Sequence, residues 1–196
     1  MSNKRKAALD SLLDRCLVAF VEAGTLDLSL DQLASKVGIS KRMLVHYFGR
    51  REKIEEGAMT RLEERLRAQF ATDSFPPGAT PALVMTTLWN QATAAESRNV
   101  LLLVMDLSRR AWKGSKQAKA FYKEQQRLWV ELLLKFLPDE AAVEEVLQLF
   151  QGALHAYLIT GDHDSGRRAL IRSLTRGYKT RRRPTSGQKN RKAKPV

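Results

Sequence analysis

Apolar side chains recur along the first twenty residues at helical spacing: Leu9, Leu12 and Leu13, Cys16 and Leu17, then Phe20. The spacing predicts a helix over 4–23, and Gly24 stands where a glycine ends one. Ser29-Leu30-Asp31-Gln32 reads as a capping box, with Gln32 three residues after Ser29. A second helix is predicted over 30–37, a turn over Gly38-Ile39-Ser40, and a third helix over 41–47, closed by Gly49. A fourth starts at Arg50 or Arg51 and runs to about Ala71. Pro76-Pro77-Gly78 and Pro81 mark a loop over 72–81.

Further helices are predicted over 81–95, 96–112, 116–137, 138–160 and 165–178. Gly114-Ser115 opens the third of these and Gly161-Asp162-His163-Asp164 is the turn before the last. The expected fold is all-α, with about nine helices. Residues 1–50 form a small three-helix unit and 51–178 a larger helical body. The last stretch, 179–196, is rich in Lys, Arg, Ser and Pro, and is expected to lack fixed structure.

The 140–160 segment is apolar over more than half its surface. Val143, Val146, Leu147, Phe150, Leu154 and Tyr157 make one stripe, widened by Ala142, Leu149, Ala153, Ala156 and Ile159. A helix of this kind is buried on two sides. One reading gives the second side to another copy of the chain, with Leu149, Phe150, Ala153 and Tyr157 at the interface. The other makes it a central core helix of a monomer.

Composition agrees with helices. Of 196 residues, 43% are hydrophobic, and only six prolines and eleven glycines interrupt them. The net charge of +13 favours a polyanionic partner. Nine of the Lys and Arg residues lie in 176–196 with no acid among them, so the rest of the chain carries about +4. A lone cysteine, Cys16, excludes an internal disulfide and fits a reducing compartment. No signal peptide opens the chain, and the longest apolar run, 100–105, is too short to span a bilayer. The expectation is a cytoplasmic protein with no membrane partner.

The stretch Gly38 to Phe48 carries the clearest chemistry. Leu44 and Phe48 share one face of the predicted third helix, and Arg42, Met43 and His46 fall roughly opposite, with Lys41 at its start adding to the exposed bases. Ile39, Leu44 and Phe48 can pack on Leu33, Val37 and Leu13. That leaves a basic face free on the second helix of a helix-turn-helix, the element that enters the major groove of DNA.

The residues from Ser29 through the Tyr47-Phe48 pair to Arg51-Glu52-Lys53-Ile54 resemble the N-terminal signature of the tetracycline-repressor (TetR) family of bacterial transcription regulators. The resemblance spans about 45 residues; the remainder matches in helical layout only. It implies a homodimeric regulator, a repressor released from a palindromic DNA operator by a small-molecule effector, with no cofactor. By that resemblance Ser29 and Ser40 present helix N-termini to phosphates. Lys41, Arg42 and His46 reach the groove, Tyr47 donates to a phosphate, and Arg51 takes the place of a phosphate-binding lysine. Val45 departs from the family, which usually has an aromatic there; a thymine methyl is one partner it suits.

No phosphate-cradling glycine loop, C-x-x-C or H-E-x-x-H occurs, so no catalytic or metal site is expected. An enzymatic reading would use acidic residues such as Glu55 and Glu56, on a charged helix beside Arg61, and nothing in the sequence places a second catalytic group with them. Trp89, Trp112, Tyr122, Trp129 and His155 are the candidates for an effector cavity, with a core position as the alternative for each. The competing function is a charge-driven, nucleoid-type DNA-binding protein without an effector.

Overall fold

The computed structural model describes residues 3–69 and 75–181; the tail expected beyond Arg181 lies outside them. Among the described residues the chain is helical and contains no strand. The helices are α1 (Asn3–Ala23), α2 (Leu30–Val37), α3 (Lys41–Phe48), α4 (Arg51–Gln69), α5 (Pro81–Thr93), α6 (Arg98–Trp112), α7 (Lys116–Leu133), α8 (Glu140–Thr160) and α9 (His163–Arg181). A short 3-10 turn, Ala95–Ser97, joins α5 to α6. No helix among the described residues is long and apolar enough to cross a membrane.

Two apolar clusters hold these helices. The first runs through α1 to α4, with Leu17, Phe20, Leu33, Leu44 and Ile54 at its centre. It also takes in Leu103 and Leu107 of α6 and Ala118 and Phe121 of α7. The second joins α5, the end of α7, α8 and α9 through Leu88, Trp89, Leu133, Val143, Phe150 and Leu170. Helix α4 is fastened along α1 by charge as well as packing. Arg61 pairs with Asp10 at 2.7 Å, and Arg65 with Asp14 at 3.4 Å. Leu13 lies against Gly57 of α4, where an added Cβ would stand 2.8 Å from its methyl carbons. Its spacing suggested the floor of α3; the contact seen is with α4.

Several helix limits differ from those the sequence predicts, among them the end of α7 and both ends of α9. Helix α7 stops at Leu133 instead of 137, because Phe136 and Leu137 turn back to donate to the Leu133 carbonyl and tuck Leu137 into the core. Pro138 follows and disfavours helix in the residue before it. Helix α9 begins at His163 instead of 165, since the Asp162 carboxylate accepts the Ser165 amide at 3.0 Å and caps it. At its other end α9 continues to Arg181, three residues into the stretch assigned to the tail.

The α8 stripe settles which side faces the protomer. Val143, Val146, Leu147, Phe150 and Leu154 are buried against the second cluster. Phe150 meets Trp89 edge-on at 6.0 Å and Trp129 at 6.1 Å. The Tyr157 hydroxyl donates to the Thr93 carbonyl at 3.0 Å. Phe150 and Tyr157, expected at an interface, are therefore turned inward. The outer side of α8 carries Gln148, Leu149, Gly152, Ala153, Ala156 and Thr160 instead, in a shallow groove shared with Ser165, Gly166 and Ala169 of α9.

Candidate nucleic-acid interface

Ser29 caps α2 reciprocally: its hydroxyl accepts the Gln32 amide at 3.1 Å, and its own amide donates to the Gln32 side chain at 2.8 Å. Gly38 ends α2 with φ +74°, a left-handed conformation that L side chains rarely adopt. The Arg15 guanidinium donates to the Val37 carbonyl at 2.8 Å, so α1 satisfies one of the orphan acceptors at that end. Two residues after Gly38, Ser40 restarts the helix by accepting the Met43 amide at 3.2 Å.

Only Leu44 of α3 is fully buried, at 0% exposure, with Phe48 half-buried beside it. Lys41, Arg42, Met43, Val45, His46 and Tyr47 are all exposed. The helix is thus anchored by one face and offers the rest of its circumference to solvent. Met43 and Val45 lie apolar among the bases, and the His46 and Tyr47 rings meet edge-on at 5.6 Å. Lys41 pairs with Asp31 of α2 at 2.9 Å, both half or more exposed, a pair that costs little to exchange for another anion. This face combines cations, a phenol donor and small apolar contacts, the set needed to touch both phosphates and base edges.

Arg51 stands apart. Its guanidinium donates to Glu55 at 2.6 Å, to the Leu26 carbonyl at 2.5 Å and to the Leu28 carbonyl. It fastens the α1–α2 connection to α4 from inside. The remaining candidates, Ser29, Ser40, Lys41, Arg42, Val45, His46 and Tyr47, fall on α3 or at the caps of α2 and α3.

Behind this unit lies a feature that sequence reading missed. Asp106 of α6 is buried, and one carboxylate oxygen accepts the Leu26 amide at 3.1 Å, the Thr25 hydroxyl at 3.0 Å and Arg110 at 3.1 Å. The other accepts Arg109 at 3.0 and 2.6 Å. Both arginines also reach Asp27, and Arg110 reaches Glu55 at 3.2 Å. Three carboxylates and three guanidiniums, counting Arg51, thereby join the α1–α2 connection, α4 and α6. Burial alone would raise the Asp106 pKa, but hydrogen bonds from Arg109, Leu26 and Thr25, with the charge of Arg110, outweigh it and hold the carboxyl below its ordinary value. The sequence signal was Arg109-Arg110 one turn after Asp106, which looks like any helical i, i+3 and i, i+4 pairing until the fold brings Asp27 and Glu55 to it.

The five effector-cavity candidates do not converge. Trp89 is fully buried between α5, α8 and α9, in contact with Phe150, Tyr157 and His163, and Trp129 touches the far side of Phe150. Trp112 is 85% exposed, Tyr122 is exposed, and His155 faces solvent instead of the core position its apolar helix suggested. The α8 stripe turns Leu154 inward, which puts the next residue outside. Buried polar atoms without a hydrogen-bond partner occur at Trp89 Nε1, Gln91 Oε1 and Gln125 Nε2. Gln125 stands between Phe121, in the first apolar cluster, and Leu132, in the second.

No family model matches the sequence, and no curated protein does. Solved structures do match. A protein described as a TetR-family transcriptional regulator from Rhodococcus sp. superimposes with a TM-score of 0.66 over 88% of this chain and 98% of that one, at 16% identity. A TetR-like transcriptional regulator from Rhodococcus sp. RHA1 does so with a TM-score of 0.55 over 86% and 93%, at 22% identity. The all-helical fold is the one these regulators have.

Proposed function

We propose that the chain is a sequence-specific, DNA-binding transcriptional regulator of the TetR kind, acting as a homodimer and serving as a repressor. The observation that carries this is α3: a capped, eight-residue helix held by Leu44, whose other side chains Lys41, Arg42, Met43, Val45, His46 and Tyr47 stand in solvent. Arg42 and His46 read base edges. Tyr47 and the N-termini of α2 and α3, beneath Ser29 and Ser40, take phosphates. Arg51 shapes the unit and does not contact DNA.

The dimer forms through the outer side of α8 and the start of α9. Gly152 supports this reading, because beyond its own helix no atom of the described residues lies within 4 Å of an added Cβ. A mid-helix glycine costs about 1 kcal/mol relative to alanine, and close approach of a partner helix answers that cost. Two α3 helices then enter successive major grooves, about 34–36 Å apart. A small molecule bound in the body favours a dimer of different spacing and empties the operator by shifting the population.

The test is selection from a random duplex pool with purified protein, followed by footprinting. A short palindromic motif with half-sites one helical turn apart supports the regulator. Diffuse protection with no recovered motif makes the chain a charge-driven, nucleoid-type binder instead.

A further inference from the structure

Between Asp106 and Glu124 the chain holds no acid and six cations: Arg109, Arg110, Lys113, Lys116, Lys119 and Lys123. Both arginines are engaged by Asp106, Asp27 and Glu55. The four lysines are exposed, and among the described residues none of them forms an ion pair. This sets them apart from Lys53, Arg61, Arg65, Arg67 and Arg127, each of which has a carboxylate partner within 4 Å.

Their placement is ordered. At ~100° per residue Lys116, Lys119 and Lys123 fall within an arc of about 60°, opposite buried Ala118 and Phe121. Lys113 stands at the end of α6 in the same hairpin, next to Trp112, whose large apolar ring is left to solvent. Like charges in one row repel each other, and among the described residues no acid pairs with them.

The hairpin is also pinned beside the DNA-reading unit. The Gln117 amide donates to Glu56 of α4 at 2.5 Å, and Arg110 holds Glu55. Glu56 is five residues into α4, about 8 Å from its start at 1.5 Å per residue. Gln117, one residue after Lys116, thus ties the start of the lysine row to the first third of α4.

We propose that the α6–α7 hairpin is a second, sequence-blind DNA contact, in which Lys113, Lys116, Lys119 and Lys123, with the Trp112 indole, hold the phosphate backbone flanking the half-site read by α3. This rests on the regulator reading for where the duplex lies. The surface fits a polyanion by charge, and its hairpin is tied to α4, the helix that follows α3. Its contribution extends the footprint and steepens the salt dependence without altering which sequence is preferred.

The test compares wild type with the combined variant Lys113→Gln, Lys116→Gln, Lys119→Gln, Lys123→Gln. The probes are 20- and 40-base-pair duplexes centred on the motif recovered by selection, titrated at several salt concentrations. Circular dichroism confirms that the variant folds. Wild type is expected to bind the longer duplex more tightly and with a steeper salt slope. The variant is expected to match wild type on the short duplex and lose that gain on the long one. Every phosphate that the variant no longer neutralises should remove a factor of about 3–4 from the affinity difference between 50 and 200 mM salt. A variant with wild-type length gain and slope overturns the proposal. If selection recovers no motif, the regulator reading fails; a random 40-base-pair duplex then decides the hairpin by the same slope, with an unchanged slope against it.

Discussion

Replacing Asp106 tests whether the charge cluster joins the α3-bearing unit to the body. In Asp106→Ala the Leu26 amide loses its buried acceptor, which costs about 1–3 kcal/mol. Three guanidiniums then face two carboxylates. Breaking a fully buried pair costs about 3–5 kcal/mol. Here the figure falls to the lower end or below, because Arg109 is 43% exposed and both arginines keep Asp27. The expected loss for Asp106→Ala is about 3 kcal/mol. Asp106→Asn keeps an acceptor for the amide and removes only the charge, so about 1–2 kcal/mol is expected.

Urea denaturation followed by circular dichroism at fixed protomer concentration measures both. The sign with pH follows from the depressed folded pKa. The carboxylate stabilises the native state above the unfolded Asp value of about 3.9, and that share is lost as pH falls through the folded value. The gap between wild type and Asp106→Asn should therefore be full at pH 7 and shrink below about pH 4. A gap that stays constant down to pH 3, or an Asn variant within about 0.5 kcal/mol of wild type at pH 7, refutes the reasoning.

Arg51→Ala should lower stability by about 1–3 kcal/mol, by freeing the Leu26 and Leu28 carbonyls and leaving Glu55 to Arg110; the salt slope of DNA binding in gel shifts should stay as it was. Arg42→Ala should relax base preference at one position per half-site, worth about 1–3 kcal/mol of discrimination, read by repeating the selection; an unchanged motif would count against base contact. Ala153→Glu sets a carboxylate in the outer α8 groove and should give a folded monomer by sedimentation; a dimer of wild-type affinity would move the interface elsewhere.

The helix-turn-helix was legible because its signals are local. Ser29 with Gln32, Gly38, and Ser40 with Met43 are contacts within four residues, and the structure forms each of them. Helix limits failed where a tertiary choice intervened, as when Leu137 turned back into the core before Pro138. Periodicity finds the apolar width of α8 but cannot say which side a protomer keeps, so Phe150 and Tyr157, expected outward, lie inward. Residue type alone puts Trp112 inside, yet it ends a helix, where nothing covers it. Asp106 joins partners about eighty positions away, a separation that no window along the chain reaches.

The first apolar cluster bears on how such a chain can change over generations. Its members from α6 and α7, Leu103, Leu107, Ala118 and Phe121, are as much a part of the core of the N-terminal three-helix head as Leu44 is. A head grafted from a relative onto this body would meet a foreign seat at those four positions and at Asp106. Swapping heads at residue 50 should therefore yield chimeras that misfold, whereas a graft carrying α4 and the facing halves of α6 and α7 keeps the seat intact. On the proposed reading, new DNA specificity is open to this lineage by substitution on the exposed side of α3, and closed to it by exchange of the first fifty residues alone.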